Sequence, residues 1–289
     1  MRTGAPAPRG KSRPRIRAPR DSRGFVRGLP AVAVTLFCIL GLAAVAAGGD
    51  GDEGRRTLQV FAASSLADAF RDMETAFEAS HPRTNVELVF AGSQILRLQI
   101  EQGARADVFA SADRRHIESL ARAGLLAEYV EFASNELAVI VPLDNPAGIE
   151  SFDDLPHAER LVIGTEHVPV GGYTHEALRR AAARNGPGFE TAVLDRVVSR
   201  ESNVRLVRAK VELGVADAAI VYRTDAAPGR VRTIAVPPWA NVRAGYLTGA
   251  VAGSANPEGA EQWIRFVASP AGREILSRRG FRAGSAPAW

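Results

Sequence analysis

Cysteine occurs once in 289 residues, at Cys38 inside an uncharged run, so the chain beyond that run can form neither a disulfide framework nor a thiolate metal site. The chain also lacks G-x-S-x-G, H-E-x-x-H, and a G-x-G-x-x-G after a strand pattern. Those absences remove the signatures of elbow-type hydrolases, zinc peptidases and dinucleotide enzymes. The five histidines, His81, His116, His157, His167 and His175, show no ligand spacing. Asp153 and Asp154 are adjacent, but they precede a helix or turn, where acids are common for dipole reasons. "GAPAPRGKS" at residues 4–12 comes near a phosphate-binding loop, yet five residues rather than four separate Gly4 from Gly10, and no strand precedes it. With no nucleophile set beside a base, the chain is expected not to be an enzyme and to need no cofactor.

Positive charge is confined to one end. Nine Lys or Arg and a single acid precede Ala46, a net +8 in a chain of formal charge +4, so the remainder carries −4. A mildly acidic body argues against a nucleic-acid partner. The basic arm leads into residues 28–49, "GLPAVAVTLFCILGLAAVAAGG", which hold no charge and end in small residues. Basic n-region, apolar h-region and small-residue site make residues 1–46 an expected signal peptide of an exported protein, periplasmic or associated with the cell surface. An uncleaved anchor is the alternative, since a run of that length can span a bilayer. Cys38 follows Leu36 and Phe37 rather than small residues and reads as apolar filler.

From residue 57 strand and helix patterns alternate. "LQVFAA" reads as a buried strand; "LADAFRDMETAFEASH" reads as a helix with Leu66, Ala69, Phe70, Met73 and Phe77 on one face. "NVELVFAG" precedes the helix "SQILRLQIEQG", with Ile95 or Leu96, Gln99 and Ile100 inward and Gly103 as its stop. "ADVFAS" precedes "DRRHIESLARAG". After the strand "NELAVIVP" and a loop bearing proline and glycine, the alternation restarts with "RLVIGT", "GGYTHEALRRAAARNG", "SNVRLVRAKVELG" and "DAAIVY". The expected fold class is α/β in two lobes, each a mixed, mostly parallel sheet flanked by helices. Residues 55–135 with 240–289 are expected to form one lobe and 136–239 the other. Crossing strands near 133–140 and 232–246 would leave a cleft at strand C-terminal ends, where α/β folds place ligands.

Helix starts facing that cleft recur. Ser65 begins "SLADAF", with Asp68 three residues on in capping-box register; Ser93 begins "SQILRLQ". "EHVPVGGYTHEAL" opens a helix near Val170, and "RESNVRLV" opens another near Val204. Each start carries unpaired N–H donors and about half a positive charge, which suits an anion without Lys or Arg. Serine is also a common plain N-cap, so it is the convergence of four starts that carries the signal.

The segments "VFAASSLADAF", "FAGSQILRLQIEQGARADVFASAD", "EHVPVGGYTHEAL", "ESNVRLVRAKVELGVADAAIVYRTDA" and "GFR", in order over residues 57–282, resemble the periplasmic molybdate-binding proteins of ABC importers. The resemblance implies a type II periplasmic-binding-protein fold that closes on molybdate or tungstate and delivers it to a membrane permease, with a monomeric protein expected. Carried over by position, hydroxyl donors fall on Ser65, Ser93 and Tyr222 and backbone N–H donors on Val170 and Val204, with Ser64 as the alternative to Ser65. "HVPVGGY" contains no acid, which implies four-oxygen tetrahedral recognition with no direct metal-cation ligands. Another tetrahedral oxyanion, such as sulfate or phosphate, is the alternative ligand.

Overall fold

The computed structural model describes residues 54–284; the expected signal segment and Cys38 lie outside them. β1 (Arg56–Ala63) buries Leu58, Val60 and Ala62 and passes through a 3-10 turn at Ser64–Leu66 into α1 (Ala67–Ser80). The helical period brings Ala69, Phe70, Met73 and Phe77 to one buried face. There Phe70 and Phe77 meet the Trp263 ring edge-on, with centroids 5.6 and 5.2 Å away. β2 (Thr84–Ala91) leads into α2 (Ser93–Glu101), whose inward residues are Ser93, Leu96 and Ile100. Ile95 and Gln99 face outward, so Leu96 takes the inward place and the expectation for Gln99 is corrected. The buried stripe at 93, 96 and 100 already fills the helix face turned to the sheet, and Gln99 falls outside it.

β3 (Val108–Ser111) precedes α3 (Arg114–Arg122), which Asp113 caps by accepting from the His116 amide at 3.1 Å. β4 (Leu126–Asn135) and β5 (Leu137–Val141) are separated only by Glu136. Next come β6 (Leu161–Gly164), α4 (Pro169–Asn185), α5 (Phe189–Leu194), β7 (Val197–Glu201), α6 (Val204–Glu212), β8 (Ala218–Tyr222) and β9 (Arg232–Ala235). The chain then returns through β10 (Ala244–Val251), α7 (Pro257–Ala268), α8 (Pro270–Arg278) and β11 (Arg282–Ala283).

Two mixed sheets result, ordered β11-β4-β10-β3-β1-β2 and β7-β6-β8-β5-β9. β2, β1 and β3 run parallel, as do β7, β6 and β8; these are the strands joined through helices. The antiparallel pairings belong to the crossing strands β4, β5, β9 and β10 and to β11. Each sheet has helices packed on it, the arrangement of a two-lobed α/β protein. Among the described residues no helix is long and apolar enough to cross a membrane.

Candidate functional site

The cavity between the sheets is bounded by loops at the C-terminal ends of β1, β2, β6, β7 and β8. Ser65, Ser93, Val170, Val204 and Tyr222 all line this one tight space of about 10 Å³. Ser64, the alternative to Ser65, lines it as well. Among the described residues, Tyr222 is the one ionisable side chain in the lining, and no Asp, Glu, Lys or Arg lines the cavity.

Neither serine caps a helix. The N-cap of α1 is Leu66, and Ser65 lies in the 3-10 turn before it, so the expected capping box with Asp68 is absent. The extra turn pulls Ser65 off the axis of α1, and Asp68 pairs with Arg71 and Arg205 instead. The N-cap of α2 is Gly92, which makes Ser93 the first helical residue. Ser93 Oγ accepts from the Ala112 amide at 3.1 Å, and Ser65 Oγ accepts from the Tyr246 hydroxyl at 3.0 Å. Each serine thus receives a donor from behind, while its own proton is free to point into the cavity.

The opposite wall consists of two helix starts. Pro169 at the first position of α4 fixes the turn without needing an N–H, and Val170 and Gly171 follow with first-turn amides that have no intrahelical acceptor. A Cβ at Gly171 would overlap the Thr165 carbonyl and lie 2.6 Å from that of Gly164, so only glycine lets α4 start this close to β6. At α6 the Asn203 side chain caps the Leu206 amide at 3.1 Å, leaving the amides of Val204 and Arg205 without an intrahelical partner.

The Tyr222 hydroxyl is the least satisfied donor in the group. It is 1% exposed, and its oxygen has no hydrogen-bond partner among the described residues. Burial, with Tyr246, Tyr173, Asp113 and Asp225 nearby, pushes its ionisation far above the usual tyrosine range, so it remains a neutral donor. Its ring stands edge-on to Tyr246 of the other sheet at 5.8 Å and to Tyr173 at 6.4 Å.

Several further contacts tie the two halves together. Arg205, on the first turn of α6, donates to the Ser64 carbonyl at 3.2 Å and to Asp68 at 2.7 Å, with Asp225 3.1 Å from its Nε. Gln94 donates to the Ser202 carbonyl at 2.8 Å; His116 Nε2 donates to the His167 carbonyl at 2.9 Å. Burial lowers the His116 pKa against the raising effects of Asp113 and this bond. Asp225 is fully buried, and desolvation raises its pKa to about 7 despite Arg205 and Arg208. Among the described residues there is no cluster of metal-ligating side chains. Sequence reading overlooked Tyr246 and Arg205, which bond the lining residues Ser65 and Ser64 and carry no local motif.

Residues 58–282 match the family model for bacterial extracellular solute-binding proteins. The chain belongs to that family. A relative in Mycobacterium tuberculosis strain H37Rv, the molybdate-binding protein ModA, is 37% identical over 79% of this chain and 85% of its own. The same solute-binding fold is seen in the periplasmic molybdate-binding protein of Azotobacter vinelandii, with TM-score 0.67, 18% identity, and 78% of this chain and 98% of that one covered. The sulfate-binding protein SubI of M. tuberculosis H37Rv aligns with TM-score 0.68 at 19% identity, over 80% of this chain and 88% of its own. Both structural likenesses concern the fold of these solute-binding proteins.

Proposed function

We propose that this protein captures molybdate, and tungstate with it, between its two lobes and delivers the ion to the permease of an ABC importer. One observation carries the reading: five positions on separate segments converge on a single cavity that offers hydroxyl and amide donors and, among the described residues, no charged side chain. A tetrahedral dianion with no proton at neutral pH only accepts hydrogen bonds, which is what this lining can satisfy. Helix starts α4 and α6 add their dipoles to the stabilisation. Ser65, Ser93 and Tyr222 serve through their hydroxyls, Val170 and Val204 through their backbone N–H groups. The ion is cargo; no cofactor and no catalytic step belongs to this reading, and neither does a nucleic-acid partner.

Hydrogen phosphate brings a proton that would meet another donor, so it is disfavoured. Sulfate has the same acceptors on a smaller tetrahedron, and donors spaced for the larger ion stand too far from it. The reading carries a lobe division at 55–135 with 240–289 against 136–239; that the first sheet draws on 56–135 and 244–283 and the second on 137–235 supports it. A monomer held outside the cytoplasmic membrane completes the proposal, and the extracellular character of the family supports that location. Calorimetric titration of residues 47–289 with molybdate, tungstate, sulfate and phosphate tests it. One-to-one binding of the first two is expected; binding of sulfate or phosphate alone would move the assignment to that ion, and binding of none would end it.

A further inference from the structure

We infer that Tyr246 sets which anions Ser65 accepts, although it does not line the cavity. The inference rests on the oxyanion reading above. Tyr246 is fully buried on β10, and Ser65 Oγ, 181 residues away in sequence, lies 3.0 Å from its hydroxyl. Burial raises the pKa of that phenol, and the Asn135 side chain works against the rise. Asn135 is itself fixed: Oδ1 accepts from the Glu136 amide at 2.9 Å, and Nδ2 donates to Thr224 Oγ1 at 2.7 Å.

Donor direction thus runs from Tyr246 to Ser65 and from Ser65 to the cavity. With a lone pair engaged from behind, the Ser65 hydroxyl keeps its proton forward. A fully deprotonated tetrahedral anion is welcome there, and an anion carrying an O–H finds a donor where it needs an acceptor. Without the phenol, the Ser65 hydroxyl can rotate and offer a lone pair to a P–OH group. Tyr246 is a positioning residue in this scheme, and its effect is on discrimination rather than on affinity in general.

The test compares wild type with Tyr246→Phe for molybdate and sulfate binding, and for the phosphate concentration that displaces molybdate, all at pH 7. The variant is expected to lose about three- to tenfold in molybdate affinity, the worth of one hydrogen bond. The ratio of phosphate to molybdate affinity should rise at least as much, while the sulfate to molybdate ratio stays within twofold. Equal losses for all three anions, or no gain in phosphate competition, would overturn the inference and reduce Tyr246 to a packing role. If Tyr246→Phe does not fold, the same two ratios are measured on Asn135→Ser, which leaves the phenol ring in place: a rise in the phosphate ratio alone supports the inference, and its absence overturns it. Wild type that binds no molybdate would instead refute the oxyanion reading itself, so the two failures are distinct.

Discussion

Replacing Tyr222 with phenylalanine separates two effects that most site mutations confound. The hydroxyl is buried with no partner among the described residues, so in this arrangement it costs about 1–3 kcal/mol of lost hydration. Phenylalanine fills the same space and removes that cost. The protein without ligand should therefore melt at the same temperature or a few degrees higher, at roughly 2–4 °C per kcal/mol for a domain of this size. Binding should move the other way: a charge-assisted bond to the dianion is worth about 1.5–3 kcal/mol, which is about 10- to 150-fold in Kd. Thermal melts with and without molybdate, paired with calorimetric titration, read both effects on one sample. Ligand stabilisation at a fixed excess falls with the logarithm of the change in Kd, so the melting shift gives an independent value of the same loss. Affinity within twofold of wild type would remove Tyr222 from the site; a clear drop in the melting temperature without ligand would show it to be a core brace.

Three further outcomes follow from the structure. Asp225 has a folded-state pKa of about 7, above that of an unfolded carboxyl, so between about pH 4 and 7 the folded form holds the extra proton and stability falls as pH rises. Asp225→Asn should flatten that slope and gain over wild type in urea melts at pH 8 but not at pH 4; an unchanged slope would refute the assignment. Arg205→Met removes the tie to Ser64 and Asp68 while leaving the five proposed donors unchanged, and should speed molybdate release in stopped-flow displacement by about tenfold; an unchanged rate would mean the tie does not limit opening. Gly171→Ala forces a Cβ into the Thr165 carbonyl, so α4 must shift and carry the Val170 amide with it; at least tenfold weaker binding is expected by titration, and wild-type affinity would contradict the close approach described.

The alternating segments were legible because their apolar spacing is local. Phe70, Met73 and Phe77 recur at helical intervals and are all buried, and Gly103 and Gly124 stand just past α2 and α3 with positive φ. Most of β4 escaped notice because "LLAEYVEF" mixes exposed and buried residues without strict alternation, and α5 is a single short piece after Pro187 and Gly188. At the site, the helix starts near Val170 and Val204 announce themselves through proline, glycine and asparagine. The roles of the serines do not: a Ser at a helix start reads as a cap, and only the 3-10 turn at Ser64–Leu66 shows that Ser65 is free of that duty. Tyr246, Asn135 and Arg205 act through partners 89 to 181 residues distant, which no window on the sequence can contain.

The single residue between β4 and β5 has a mechanical consequence. Glu136 is held on both sides, its amide by Asn135 and its carbonyl by the Arg223 amide, while Asn241 from the return crossing bonds the backbone of Leu137 and of Val236. A crossing pinned on both strands gives the two sheets one short axle to turn about, and a membrane machine gripping both rims would supply torque about it rather than recognise the cargo.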